Sequence, residues 1–130
     1  MAIYISVDGD DTGNKIAKSY LENDEIALAR IIQELTSILT QICEYLRFVG
    51  FEIIYCAADG IACKGSTLDI DNFIHHIRTI RIPNYTFSVG IGNDLQTSYL
   101  ALKYAKAVGK DKIVIYEEGA RFRIVNIVVD

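Results

Sequence analysis

Three carboxylates and two glycines stand together in Asp8-Gly9-Asp10-Asp11-Thr12-Gly13, directly after the apolar run Ile3-Tyr4-Ile5-Ser6-Val7. Side chains of a strand alternate between faces, so Ile3, Ile5 and Val7 can enter a core while Tyr4, Ser6 and Asp8 share the other side. Asp8 then sits at a strand end, on a rigid element. Gly9 and Gly13 let backbone approach a ligand closely, and the N–H groups of a helix starting around Thr12, Gly13 and Asn14 can receive phosphate oxygens. These are the parts of a metal and phosphate site.

A second carboxylate can join Asp8. The segment Ala57-Ala58-Asp59-Gly60 lies between the apolar runs Phe51 to Cys56 and Ile61 to Lys64, and an Asp-Gly pair in that setting predicts a tight hairpin. Neighbouring central strands would bring Asp59 to Asp8. Magnesium takes hard oxygen ligands and is commonly held by one or two carboxylates plus substrate phosphates, which Asp8, Asp59 and the carbonyl of Gly9 could supply. Asp10 and Asp11 have two readings: groups facing a metal-bound nucleotide, or charges of a turn and a helix N-terminus.

Lys103, Lys106 and Lys110 recur at spacings of three and four, which places them on one side of a helix and its end. They form either an anion-binding cluster or a solvated face with lysines favoured at the helix C-terminus. His75 and His76 have no metal-ligand spacing and read as surface or packing residues. The tyrosines are scattered and read as residues of the core edge.

The elements that must position these groups follow from periodicity. Thr12 can cap a first helix carrying Ile16, Ala17, Tyr20 and Leu21, and Asp24 starts a long one whose stripe runs from Ile26 to Leu46 and stops at Gly50. After the hairpin come a helix from about Asp69 to Ile80, ended by Pro83, and a strand from Tyr85 to Ile91. In that strand Tyr85, Phe87, Val89 and Ile91 alternate with Thr86, Ser88, Gly90 and Gly92, predicting one core face and one small, polar, open face where Ser88 could meet a nucleotide. A helix from Leu95 to Val108, a strand from Lys112 to Tyr116 and a final edge strand from Phe122 to Val129 complete the order. The fold class is α+β: a ferredoxin-like βαββαβ core with an added C-terminal α-β extension, helices on one side of the sheet and the other face free.

The 130 residues predict a single domain without a linker, the only proline being Pro83. The apolar stretches read as too short and too interrupted by charge to span a bilayer, and the start lacks a basic region followed by an apolar run, so the expectation is a soluble, cytoplasmic protein without direct membrane binding. A net charge of -4 argues against long nucleic acid as partner, whereas a small anion needs only local lysines. Cys43, Cys56 and Cys63 read as reduced core thiols.

Three segments in order resemble the palm domains of GGDEF-type nucleotide cyclases and of the polymerase-like subunit of type III CRISPR complexes. Asp8-Gly9-Asp10-Asp11-Thr12-Gly13 is similar to the Asp-Gly-Asp-x-x-Gly metal motif of the CRISPR branch. Thr86-Phe87-Ser88-Val89-Gly90-Ile91, and the stretch Ala105-Lys106-Ala107-Val108-Gly109-Lys110-Asp111, resemble the shared Ser-x-Gly strand and Ala-Lys-x-x-Gly-Lys/Arg-Asn segment. A palm of this length most resembles the minimal CRISPR polymerases. The resemblance implies metal ligation by Asp8, Asp59 and the backbone of Gly9, triphosphate contacts by Lys106 and Lys110, and Mg²⁺ or Mn²⁺ as cofactor. It also implies nucleotidyl transfer from a nucleoside triphosphate, ATP favoured, to a cyclic oligonucleotide in antiviral signalling, with a homodimer and a separate effector that senses the product.

One departure stands in the hairpin. The family pattern Gly-Gly-Asp-Asp or Gly-Gly-Asp/Glu-Glu is here Ala57-Ala58-Asp59-Gly60, which keeps the ligand position and lacks the fourth carboxylate. The alternative reading is therefore a degenerate palm that binds nucleotide or cyclic nucleotide without turnover. A phosphorelay receiver shares the acidic strand end, but it needs a loop and helix after its phosphoacceptor Asp, where Asp59-Gly60 turns into another strand.

Overall fold

The strand β1 (Ile3–Gly9) keeps the alternation expected of it, with Ile5 and Val7 buried and Ser6 and Asp8 half-buried on the opposite face. The computed structural model describes residues 2–57, 60–80 and 83–127. The remaining strands are β2 (Glu52–Ala57), β3 (Gly60–Gly65), β4 (Phe87–Gly92), β5 (Lys112–Glu117) and β6 (Arg121–Asn126), in sheet order β2-β3-β1-β4-β5-β6. β1 is central and antiparallel to both β3 and β4, which puts Gly60 and Ser88 on either side of Asp8. The first four strands form the ferredoxin-like βαββαβ arrangement. A parallel β4–β5 crossover and an antiparallel β5–β6 hairpin make the C-terminal extension. The expected end of β6 at Val129 lies outside the described residues.

Local chemistry explains the helices α1 (Thr12–Leu21), α2 (Glu25–Phe48), α3 (Ile70–Thr79) and α4 (Leu95–Ala107). The Asp24 and Asp69 carboxylates accept from the N–H groups of Ala27 and Asn72, starting α2 and α3, and Asp94 forms a capping box with Thr97 for α4. Gly50 follows α2 with φ 97°, a left-handed turn suited to glycine. Leu35, Ile38, Leu39, Ile42, Cys43 and Leu46 of α2, with Phe73, Ile74 and Ile77 of α3, close over Ile5, Val7, Ile61, Cys63, Phe87, Val89, Ile91 and Ile113 of the sheet. Each large aliphatic buried there contributes about 2 kcal/mol of transfer free energy.

Several expectations are corrected. Thr12 does not cap α1: it is the first helical residue, and Asp11 precedes it as the N-cap, in a left-handed conformation and without a side-chain cap bond. The helices do not leave one sheet face free, because α4 packs on the far face against β4, β5 and β1, where Ala101, Ala105 and Val114 form a second core. The small residues Ser88, Gly90 and Gly92 signalled this close helix and not an open surface. A Cβ on Gly90 would stand 2.1 Å from the Ser98 carbonyl oxygen. α2 is also long and apolar enough to cross a membrane by length and composition, contrary to the sequence expectation. From Leu35 to Leu46 its apolar stripe packs on the sheet core, whereas Ile26 and Ile32, expected in the same stripe, are exposed.

Cys43 and Cys63 are buried, but Cys56, at the end of the edge strand β2, is exposed. Burial foremost, then the adjoining Cys56 thiol, pushes Cys43 up to about 12, and burial pushes Cys63 up to about 12 against a backbone hydrogen bond from Ile5. Only Cys56 is therefore expected to react with a thiol reagent at neutral pH in the native protein, and all three in denaturant. Two or three fast-reacting native thiols would contradict this burial. The same shifts set an alkaline limit. Unfolded thiols ionise near 9.0 while the folded ones hold their protons to about 12, so unfolding is favoured as pH rises above 9.0.

Candidate active site

At the end of β1 the Asp8 side chain is 36% exposed, and the Lys106 ammonium, reaching across from the last turn of α4, lies 3.1 Å from its Oδ2. The same Nζ donates to the Gly9 carbonyl at 2.8 Å and to Asp10 Oδ1 at 2.8 Å. Three oxygens from consecutive residues thus surround one cation. This is possible because Gly9 has no side chain: a Cβ there would stand 2.5 Å from Thr12 Cγ2.

Asp10 is 3% exposed and fully engaged. Besides Lys106, it accepts from Thr86 Oγ1 and Ser88 Oγ, each at 2.7 Å, and from the Asp111 N–H at 3.0 Å. Burial pushes its carboxyl up, but the hydrogen bonds from Lys106, Thr86 and Ser88 and the Lys106 charge outweigh it and hold the group below the ordinary carboxylate value. Asp10 is the ionised anchor that aims Lys106. Ser88, expected to meet nucleotide on an open face, is instead buried beneath α4 and holds Asp10.

The loop leaving α4 has three successive left-handed residues, Gly109, Lys110 and Asp111, with φ of 126°, 64° and 53°. It turns the Asp111 N–H toward Asp10 and carries Lys110 to Asp11, where the exposed pair meets at 2.5 Å. The Asp11 hydrogen bond and charge raise the Lys110 pKa. Beside them, the start of α1 is open at Gly13 and Asn14, and a Cβ on Gly13 would meet nothing within 4 Å. The three expected lysines therefore separate in role. Lys106 points inward, Lys110 lies on Asp11, and Lys103 sits 5.3 Å from the Tyr99 ring centroid.

Asp59 and Ala58 lie outside the described residues. Around them Ala57 pairs with Gly60, and Gly60 with Asp8, as the hairpin expectation requires of those neighbours. Among the described residues no group of three His, Cys, Asp or Glu side chains could hold a metal ion. The cation seat formed by Asp8, the Gly9 carbonyl and Asp10 is nonetheless all hard oxygen, and the ammonium within it shows that it fits a positive charge. Sequence reasoning missed the Asp111 N–H, because a backbone donor has no residue signature.

A ferredoxin-like sheet with an acidic end to its central strand, a hairpin beside it and a lysine from the helix after β4 defines a palm domain of the polymerase and cyclase class. The chain belongs to the minimal CRISPR polymerase domain family (mCpol), which it matches over residues 4–116. Among solved structures, a chain of the Csm1–Csm4 cassette in complex with cA4 matches with a TM-score of 0.67 and 15% identity, covering 89% of this chain and 21% of that one. The active GGEEF domain of a diguanylate cyclase from Vibrio cholerae matches with a TM-score of 0.62 and 15% identity, over 91% and 84% of the two chains. A diguanylate cyclase/phosphodiesterase from Caldicellulosiruptor saccharolyticus gives 0.61 and 15%, over 94% and 79%. At these identities the likeness is one of fold, and the chain spans about a fifth of the Csm1–Csm4 chain it matches. No curated protein matches.

Proposed function

We propose that this palm is a metal-dependent nucleotidyltransferase that joins nucleoside triphosphates, ATP favoured, into a cyclic oligonucleotide. The observation that carries this reading is the oxygen seat around the Lys106 ammonium. Asp8, the Gly9 carbonyl and Asp59 would hold Mg²⁺ or Mn²⁺. When bound, such an ion polarises a phosphoryl group and makes an attacking hydroxyl more acidic.

The chain's own groups supply the rest. Lys106 holds the buried Asp10 ionised, and its reach from that anchor to the half-buried Asp8 lets it meet a phosphate oxygen at the same place. Lys110 and the open N–H groups of Gly13 and Asn14 face a triphosphate from the other side of Asp11. Family membership and the solved Csm1–Csm4 complexes with one ATP and with pppApA support ATP and an oligoadenylate-type product. Antiviral signalling through a separate effector, and a homodimer bringing a second nucleotide to each site, belong to the same reading.

The test is incubation of the protein with each of the four nucleoside triphosphates and Mg²⁺ or Mn²⁺, with products analysed by mass spectrometry and the assembly by sedimentation. A cyclic product and pyrophosphate, absent from Asp8→Ala and Asp59→Ala, are expected. Intact triphosphates throughout would favour the second reading, a palm that binds nucleotide without turnover. One observation speaks for that alternative: Gly60 offers no carboxylate beside Asp8.

Lys106→Met is expected to lower stability by about 3 kcal/mol, because it leaves a buried carboxylate with neutral donors only. Adding Asp10→Asn should recover part of that loss in urea denaturation, since the uncompensated charge is then gone. No recovery in the double variant would show that Lys106 acts mainly by packing.

A further inference from the structure

Beside Asp8, away from the α1 N-terminus, a cleft of about 260 Å³ opens between the β1 backbone, β2 and α4. Tyr55 of β2 and Tyr99 of α4 line it, with Leu102 and Lys103, and it runs to Asp8 and Lys106 at its charged end. Each tyrosine is 53% exposed. Tyr99, Leu102, Lys103 and Lys106 follow one another at spacings of three to four, so a single face of α4 presents ring, apolar wall and two cations.

We propose that this cleft is a nucleobase seat, in which the Tyr55 and Tyr99 rings supply stacking surfaces to a nucleotide whose phosphates lie at the Asp8–Lys106 end. The inference rests on the nucleotide reading above and adds the residues that hold the base. Three features choose this occupant. The cleft is continuous with the charged seat, so an occupant has one aromatic-facing and one anionic end. Its volume lies just below the range of about 300–1,000 Å³ usual for small-molecule sites, which suits a base with part of its sugar and leaves the triphosphate outside, toward the lysines. The Lys103 ammonium stands over the Tyr99 ring, 5.3 Å from its centroid, and gives the cleft wall a second cation beside Lys106.

Gly60 takes a part in this seat. A Cβ there would lie 3.3 Å from the Tyr55 hydroxyl and 3.0 Å from the Val7 carbonyl oxygen, so the bare glycine keeps room for the tyrosine beside Asp8. The residue that brings no carboxylate to the hairpin also brings no Cβ against the Tyr55 hydroxyl.

The experiment compares two probes by calorimetry, a non-hydrolysable ATP analogue with Mg²⁺ and inorganic tripolyphosphate with Mg²⁺. Tyr99→Leu and Tyr55→Leu are each expected to weaken the analogue about tenfold, as loss of one base–aromatic stack does, and to leave tripolyphosphate unchanged. Tyr99→Phe and Tyr55→Phe should bind as the parent does. Unaltered analogue affinity in the leucine variants overturns the proposal while leaving nucleotide binding intact. Equal weakening of both probes overturns it as well, since the effect is then not on the base. Weakening that tracks dissociation of a dimer in sedimentation assigns the tyrosines to a contact between copies instead. A parent protein that binds neither probe overturns the nucleotide reading and this inference together.

Discussion

Asp8→Asn is expected to reduce product formation by roughly 10³-fold or more, the rate equivalent of several kcal/mol of lost charge stabilisation at the phosphoryl centre. The amide has nearly the shape of the carboxylate, and Asp8 is partly exposed, so the fold should tolerate it. Lys106 keeps its bonds to the Gly9 carbonyl and to Asp10, and the basic side of the site stays in place. The measurement is single-turnover product formation at saturating nucleotide, with thermal unfolding in parallel. A well-folded Asp8→Asn protein with the parent rate would remove Asp8 from the chemistry and, with it, the proposed metal ligation.

Gly90→Ala should be the most damaging single methyl in the sheet. The added Cβ would stand 2.1 Å from the Ser98 carbonyl oxygen, 2.3 Å from the Leu102 nitrogen and 2.8 Å from the Leu102 Cα. These are backbone atoms of α4, so no rotamer change relieves the clash and the helix must move off the sheet. Overpacking of this kind costs about 3 kcal/mol or more, a large share of the roughly 5–15 kcal/mol that holds a domain together. A lifted α4 also takes Lys106 from its oxygens, and nucleotide binding should fall along with stability. Gly13→Ala is the contrast, since a methyl there meets nothing. Urea denaturation of the two variants decides: a Gly90→Ala protein within 1 kcal/mol of the parent, taken here as about the average effect of any substitution, would show that α4 does not seat as described.

Much of the site could be read before the chain was folded. Ile5 and Val7 alternating with Ser6 and Asp8 fixes which side chains share a face, because a strand has no other period. Asp24, Asp69 and Gly50 mark helix ends by local hydrogen bonding and backbone conformation, which need no distant partner. The acidic strand end, the Asp-Gly hairpin and the lysine spacing were legible for the same reason.

The expectations that failed on β4 and β2 depended on a neighbour from elsewhere in the chain. Ser88, Gly90 and Gly92 read as an open polar face, since small residues are equally right for solvent, for ligand and for a helix at van der Waals contact. Cys56 read as core because its run is apolar, whereas sheet order put that run at an edge.

The sequence alone therefore determined the strand and helix periods, the ferredoxin-like order and the residue types at the end of β1, all consequences of short-range geometry. Only the tertiary structure decided what those residues do. Packing α4 against the face of β4 brings a lysine ninety-six positions away onto Asp10, buries that aspartate as an anchor, leaves Asp8 half-buried, and opens a cleft beside it. Charges that are equivalent along the chain become different once burial and hydrogen-bond donors are distributed unequally around them.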